Sequence, residues 1–210
     1  MAAIKVSCPL NHKLTVTAHS GHFATRHSHN SHYIDITELK HRHLSARTAA
    51  MELAELVMLK NVDTLVCLDG SEVVGSFLAR HLAKKELLAL NSNKNINVIT
   101  PEYDSNHQFI FRDNLLPMIQ GQDVLILIST VNSGKTIRRT LECVEYYGGK
   151  VQGITAIFST AERIGELPVY ALFTPDDIPG YTSSSPETCL MCAKGQKITA
   201  LANSYGLSKL

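Results

Sequence analysis

At 210 residues the chain is long enough for one α/β domain with a full core and only marginally for two. Its 44% hydrophobic and 19% charged residues exclude a disordered chain, and a formal charge of +1 with no Lys/Arg-rich block argues against a nucleic-acid binder. No apolar run approaches the roughly 20 residues that cross a bilayer, Met1 to Pro9 lack a secretory apolar segment, and five irregularly spaced cysteines suit a reducing compartment, so a cytoplasmic protein is expected.

Residues 1–32 are polar and carry six histidines, His12, His19, His22, His27, His29 and His32. A short strand is predicted over Tyr33–Ile36, and Thr37-Glu38 makes a helix start. Leu39, Leu44, Ala49, Leu53, Leu56, Val57 and Leu59 recur at roughly helical spacing between Glu38 and Lys60. Val62–Leu68 is a strong strand, Asp69-Gly70-Ser71-Glu72 a turn, and Val73–Leu90 a second helix with Phe77, Leu78, His81 and Leu82 on one face. Ile96–Thr100 is another strand, stopped by Pro101. Residues 101–121 show no period and are expected to form a long loop or a small excursion, a feature usually functional or mobile in a compact domain.

Val124–Ile128 is an apolar, fully buried strand; Ser129–Gly134 is a polar loop; an amphipathic helix begins at Lys135 and closes at Tyr146-Tyr147-Gly148-Gly149. Val151–Ser159 and Val169–Phe173 are further strands, and residues 174–210 form a tail rich in Pro, Ser, Thr and Gly. Strands without in/out alternation, separated by helices, indicate a parallel sheet covered on both faces. Neither a repeat nor a linker is evident, so one domain over 1–210 is expected, with 1–36 as an N-terminal arm or hood and 174–210 as the C-terminal tail.

The segment Asp123–Thr136 carries the chemistry. A strand turning tightly into a helix leaves backbone N–H groups unpaired in the field of the helix dipole, and Gly134 lets a ligand approach closely. This is an anion site. Ser133-Gly134-Lys135-Thr136 also invites a P-loop reading, although Ser129 stands where that motif begins with Gly and no later strand ends in an acid suited to Mg²⁺.

More of the chain is similar to the type I phosphoribosyltransferases. Val124–Leu127 matches the strand of their phosphoribosyl-diphosphate (PRPP) motif, and Asn132–Thr136 matches the loop that wraps the 5′-phosphate. Leu68–Gly75 lies where the family has its pyrophosphate-contacting loop. Ser20–His29 and Tyr33-Ile34-Asp35 resemble the N-terminal hood of the orotate enzymes. The resemblance covers about residues 18–175. The family's two acidic positions, which engage the ribose hydroxyls, fall here on Ile128 and Ser129.

The resemblance implies the type I phosphoribosyltransferase fold, a central parallel sheet flanked by helices with a small hood from the N-terminal segment and C-terminal tail. It implies transfer of a phosphoribosyl group from PRPP to a base, orotate or a related pyrimidine, with Mg²⁺ and a homodimer. Ser129, Thr130, Asn132, Ser133, Gly134, Lys135 and Thr136 would bind phosphate. Asp69, Gly70, Ser71 and Glu72 would contact pyrophosphate, and Ser20, Gly21, His22, His29 and Tyr33 the base. Residues 101–121 would be the catalytic loop, with Arg112 and Asp113 either a catalytic or a surface pair. Two rivals stand beside this: a non-catalytic homologue that binds PRPP or a nucleoside monophosphate as a regulator, and a P-loop-like NTPase. The N-terminal histidines could line a base pocket, bind a metal or lie on a polar surface. Cys189-Leu190-Met191-Cys192 is half of a zinc site, a redox pair or two ordinary tail cysteines.

Overall fold

The computed structural model describes residues 2–84, 90–104 and 108–210. In chain order it has strands β1 (Ala3–Ser7), β2 (Thr15–Ala24) and β3 (His29–Asp35), then helices α1 (Thr37–His41) and α2 (His43–Val57). Strand β4 (Thr64–Cys67), helix α3 (Glu72–Leu82) and β5 (Asn97–Ile99) follow, then a hairpin of β6 (Glu102–Tyr103) and β7 (Phe109–Ile110). The second half holds β8 (Asp123–Val131), α4 (Lys135–Tyr146), β9 (Lys150–Ser159), β10 (Arg163–Ile164) and β11 (Leu167–Phe173). The last part adds β12 (Ser183–Ser184), α5 (Leu190–Ala193), β13 (Ala200–Asn203) and β14 (Gly206–Lys209).

The central sheet has the order β10-β11-β9-β8-β4-β5, parallel apart from the edge strand β10. The middle stretches of its strands are apolar and buried because both faces are covered. Leu125 and Leu127 of β8, with Leu65 and Cys67 of β4, point into a core shared with α2, α3 and the hood. Val124, Ile126, Ile128, Val66 and Leu68 point the other way, against Ile137 and Val144 of α4. Gly75 lets α3 lie close on β4, since a Cβ there would come within 2.4 Å of Cys67 Sγ. The parallel register pairs Cys67 with Leu127, so the carboxyl ends of β4 and β8 finish side by side. Ligands of such sheets bind at those ends.

The N-terminal arm and the tail differ most from expectation. Together they build a second six-stranded sheet, β12-β3-β2-β13-β14 with β1 paired to β2. Val16 and Ala18 of β2 and Ile34 of β3 face the core, while Thr15, Thr17 and His19 of β2 and Tyr33 and Asp35 of β3 fill the alternate positions. The polar positions hid that alternation. The pairing of β2 and β3 shifts register between Ser20 and Phe23, and past this bulge His22, Phe23 and Ala24 are all buried.

Other boundaries moved. The expected helix from Glu38 to Lys60 breaks at Arg42, whose backbone is extended (φ −89°, ψ 118°). The helix expected over Val73–Leu90 ends at Leu82, and residues 85–89 of that span lie outside the described residues. Residues 101–121 hold the β6–β7 hairpin and a 3₁₀ turn over Asp113–Met118; residues 105–107 lie outside the description. Strand β8 runs on to Val131, so Ser129 belongs to the strand and not to the loop. Among the described residues no helix is long and apolar enough to cross a membrane.

Candidate functional site

The loop expected to hold a phosphate opens at the end of β8. Its outer side is fastened: the Thr160 hydroxyl donates to the Asn132 carbonyl at 2.7 Å, and the Thr160 N–H to that of Val131 at 3.0 Å. Gly134 is the N-cap of α4 in the left-handed region (φ 71°), where glycine costs least, and a Cβ there would lie 2.7 Å from Ile164 Cδ1. The first N–H groups of α4 have no intrahelical partner and carry the positive end of the dipole. Thr130, Asn132, Ser133, Gly134, Lys135 and Thr136 all line a cavity of about 310 Å³. Ser129 does not; its hydroxyl donates to the Asp69 carbonyl at 3.3 Å.

The turn after β4 faces this loop. Asp69 and Gly70 both have positive φ, 57° and 72°. An aspartate tolerates that region better than most side chains, but at a cost. Lys40 holds the turn: buried at 2% exposure, its Nζ donates to the carbonyls of Asp69 (2.6 Å) and Ser204 (2.8 Å) and lies 5.6 Å from the Tyr205 ring centre. Burial lowers the Lys40 pKa, against the upward pull of Asp69 and Glu72. Burial raises the Asp69 carboxyl, partly offset by its hydrogen bond with Ser204 and the charge of Lys40. Asp69, Gly70 and Glu72 line a second cavity of about 350 Å³, which adjoins the first through Asp69, Tyr103, Phe109 and Tyr205. The Ser71 side chain turns inward to the Leu127 carbonyl.

The hood closes the first cavity from above with Phe23, Arg26, His27 and Tyr33, and Tyr181 reaches in from the tail. Burial lowers the His27 pKa, and Lys135, Arg26 and Arg139, which line the same cavity, lower it further. Burial also lowers the pKa of His32, and of His81 in the last turn of α3. Each of these histidines binds its proton less readily when folded. Their contribution to stability is therefore complete above the unfolded value near 6.5 and is lost as pH falls through the lower folded values. Urea melts between pH 7.5 and 5.5 should show stability falling on acidification, and a flat profile would contradict this.

Several expected site residues lie elsewhere. Arg112 pairs with Glu102 at 2.8 Å on the surface, and neither Arg112 nor Asp113 lines the cavity. Both side chains of the Arg112–Glu102 pair are more than half exposed, so the pair adds little. Ser20 donates to the Ala2 carbonyl at the hood edge. Of the residues expected around a base, only Tyr33 lines the cavity; Ser20, Gly21, His22 and His29 do not. The bulge in β2 turns His22 away, so that its Nε2 lies 3.1 Å from His29 Nδ1 and 3.5 Å from Cys189 Sγ.

The sequence itself matches no family model and no curated protein. Its architecture matches solved phosphoribosyltransferases. The orotate phosphoribosyltransferase of Mycobacterium tuberculosis H37Rv superposes with a TM-score of 0.52 at 15% identity, over 70% of this chain and 80% of that one. The chain has the type I phosphoribosyltransferase fold. The adenine phosphoribosyltransferase of Thermoanaerobacter pseudethanolicus gives 0.53 at 14% identity over 82% and 95% of the two chains. Leishmania donovani UMP synthase gives 0.55 at 16% identity over 75% of this chain and 33% of that one. Within this fold the cavity lies between the β8–α4 loop and the turn that follows β4.

Sequence reasoning missed Lys40, Arg26, Arg139, Tyr181 and Tyr205. Arg139 stood one turn beyond Lys135 on the same helix face, which was a usable signal. For Lys40, Tyr181 and Tyr205 there was none, because only folding brings α1 and the tail to the cavity.

Proposed function

We propose that the chain binds PRPP in the paired cavities and transfers its phosphoribosyl group to a base, with orotate or a related pyrimidine the first candidate. The observation that carries this is the cradle at the start of α4, faced by Arg26, Lys135 and Arg139 and opening directly onto the Asp69–Glu72 turn. One anion fits the helix N-terminus, and the adjoining cavity, lined by Asp69, Glu72 and Glu102, would take the second phosphorylated end of a ribose through a bound cation. In the same fold, the Mycobacterium tuberculosis orotate enzyme is known in complex with inorganic phosphate and with PRPP.

In the proposed reaction a ring nitrogen of the base attacks C1 of the ribose while the bond to the pyrophosphate oxygen breaks; the electron pair leaves with pyrophosphate, which also takes up the proton the nitrogen gives up. The α4 amides, Lys135 and Arg139 hold the 5′-phosphate, and Tyr33, Phe23 and Tyr181 wall the base side and exclude water. Asp69 and Glu72 are oxygen donors at one cavity, the type of ligand Mg²⁺ takes, and would hold it there. When bound, that ion would neutralise the pyrophosphate.

A second reading is favoured by one observation. Ile128 and Ser129 are buried where the family has its two acids, and neither side chain can hold ribose hydroxyls as a carboxylate does. On that reading the chain binds PRPP or a nucleoside monophosphate without turnover. Pyrophosphate release from PRPP with a panel of bases, beside thermal shifts with PRPP, nucleoside monophosphates, orotate and ATP, separates the two. Base-dependent release supports transfer; stabilisation without release supports the regulator. Stabilisation by ATP alone, with Lys135-dependent hydrolysis, would replace both by an NTPase.

A further inference from the structure

Away from the cavity, four side chains from distant parts of the chain meet: His22 of β2, His29 of β3, and Cys189 and Cys192 at the start of α5. Their Nε2, Nδ1 and two Sγ atoms all lie within 4.8 Å of one another, and three of the four residues are buried. His22 Nε2 is 3.1 Å from His29 Nδ1, 3.5 Å from Cys189 Sγ and 3.7 Å from Cys192 Sγ; Cys192 Sγ is 3.3 Å from His29 Nδ1. A tetrahedral zinc ion, with Zn–N near 2.05 Å and Zn–S near 2.3 Å, sets its ligand atoms about 3.3 Å apart for N···N and about 3.6 Å for N···S. Each observed separation lies close to these values.

The hydrogen bonding points the same way. His22 Nδ1 lies 2.9 Å from the Gln196 carbonyl, which can only accept, so Nδ1 carries the proton and Nε2 presents a lone pair. That lone pair faces a ring nitrogen and two sulfurs at once. One acceptor cannot serve three neighbours, whereas a cation at their centre would bind all four. A carbonyl behind a ligating imidazole is also the usual way such rings are oriented.

We propose that His22, His29, Cys189 and Cys192 bind one structural Zn²⁺. Two thiolates and two neutral imidazoles fill the tetrahedron and balance the charge, leaving no open position for catalysis. The ion would staple the tail to the hood. It joins residues some 170 positions apart, beside the places where β12 pairs with β3 and β13 with β2. Phe23, Arg26, His27 and Tyr33 lie on these same hood strands or the turn between them, so the staple fixes the roof of the phosphate cavity.

Metal analysis of the full-length protein, purified under reducing conditions, should give one zinc per chain. Replacement of the metal with Co²⁺ should give the intense visible bands of a tetrahedral S₂N₂ site and a thiolate-to-metal charge-transfer band. Cys192→Ser should reduce zinc to below about 0.1 per chain, while His12→Ala, on the exposed arm, and Cys8→Ala keep it. Chelation should lower the unfolding midpoint by about 10 °C. If Cys192→Ser fails to fold, the cobalt spectrum of the unmodified protein decides. The proposal is overturned by reduced wild-type protein that binds neither metal, by an octahedral cobalt spectrum, or by a Cys189–Cys192 disulfide with no metal taken up after reduction.

Discussion

Replacing Lys135 and Arg139 together with alanine is expected to weaken PRPP binding at least about 100-fold, because each charge-assisted contact to a phosphate is worth roughly a factor of ten or more. Both side chains line the cavity at the start of α4 and crowd His27 with Arg26. A cation in the first turn of a helix opposes the dipole unless an anion compensates it. The ligand-free double variant should therefore be at least as stable as the parent, and the loss should appear only with ligand. Calorimetric titration with PRPP and with inorganic phosphate, at low and high salt, provides the measurement. An unchanged affinity would show that the anion does not sit at this helix. A fall in ligand-free stability would show that the two side chains serve the fold instead.

Lys40→Met should destabilise the folded chain by about 2–4 kcal/mol and weaken PRPP binding as well. Methionine keeps much of the volume but no donor, so the Asp69 and Ser204 carbonyls each lose a charge-assisted partner, at a cost of roughly 1–3 kcal/mol apiece. Release from desolvating the ammonium offsets part of this, which is why the expected value lies below the sum. Lys40 also joins α1, the β4 turn and the β13–β14 hairpin. Without it, Asp69 and Gly70 lose one restraint on their positive-φ conformation, and the second cavity loses its shape. Urea unfolding gives the first quantity and PRPP titration the second. A variant as stable as the parent would mean that the two carbonyls find other donors.

The central sheet was legible because its strands are apolar on both faces and its helices keep a 3.6-residue period. Val124–Leu127, Val62–Leu68 and Val151–Ser159 could hardly be anything but buried strands. The β8–α4 turn was legible for a similar reason: a strand, a short polar loop with Gly134 and a helix are contiguous in the chain. The hood was not, because β2 and β3 alternate core residues with histidine, serine and threonine, and a bulge breaks the period at Gly21-His22. The base-side assignment went astray at the same place. A bulge reverses which face a side chain takes, and the one in β2 sent His22 towards His29 and the cysteines and away from the cavity.

The sequence by itself determined the covered parallel sheet and the strand, loop and helix of β8 and α4, since both depend on short-range period and turn chemistry. It also displayed Ile128 and Ser129 at the positions where the family resemblance leads one to expect two acids. Only the tertiary structure decided which distant groups complete these features. Lys40 on α1 meets Asp69 and Ser204, Tyr181 reaches Asn132, and two tail cysteines close on two hood histidines. Such pairings depend on chain segments up to about 170 residues apart coming into register, and no local pattern encodes that.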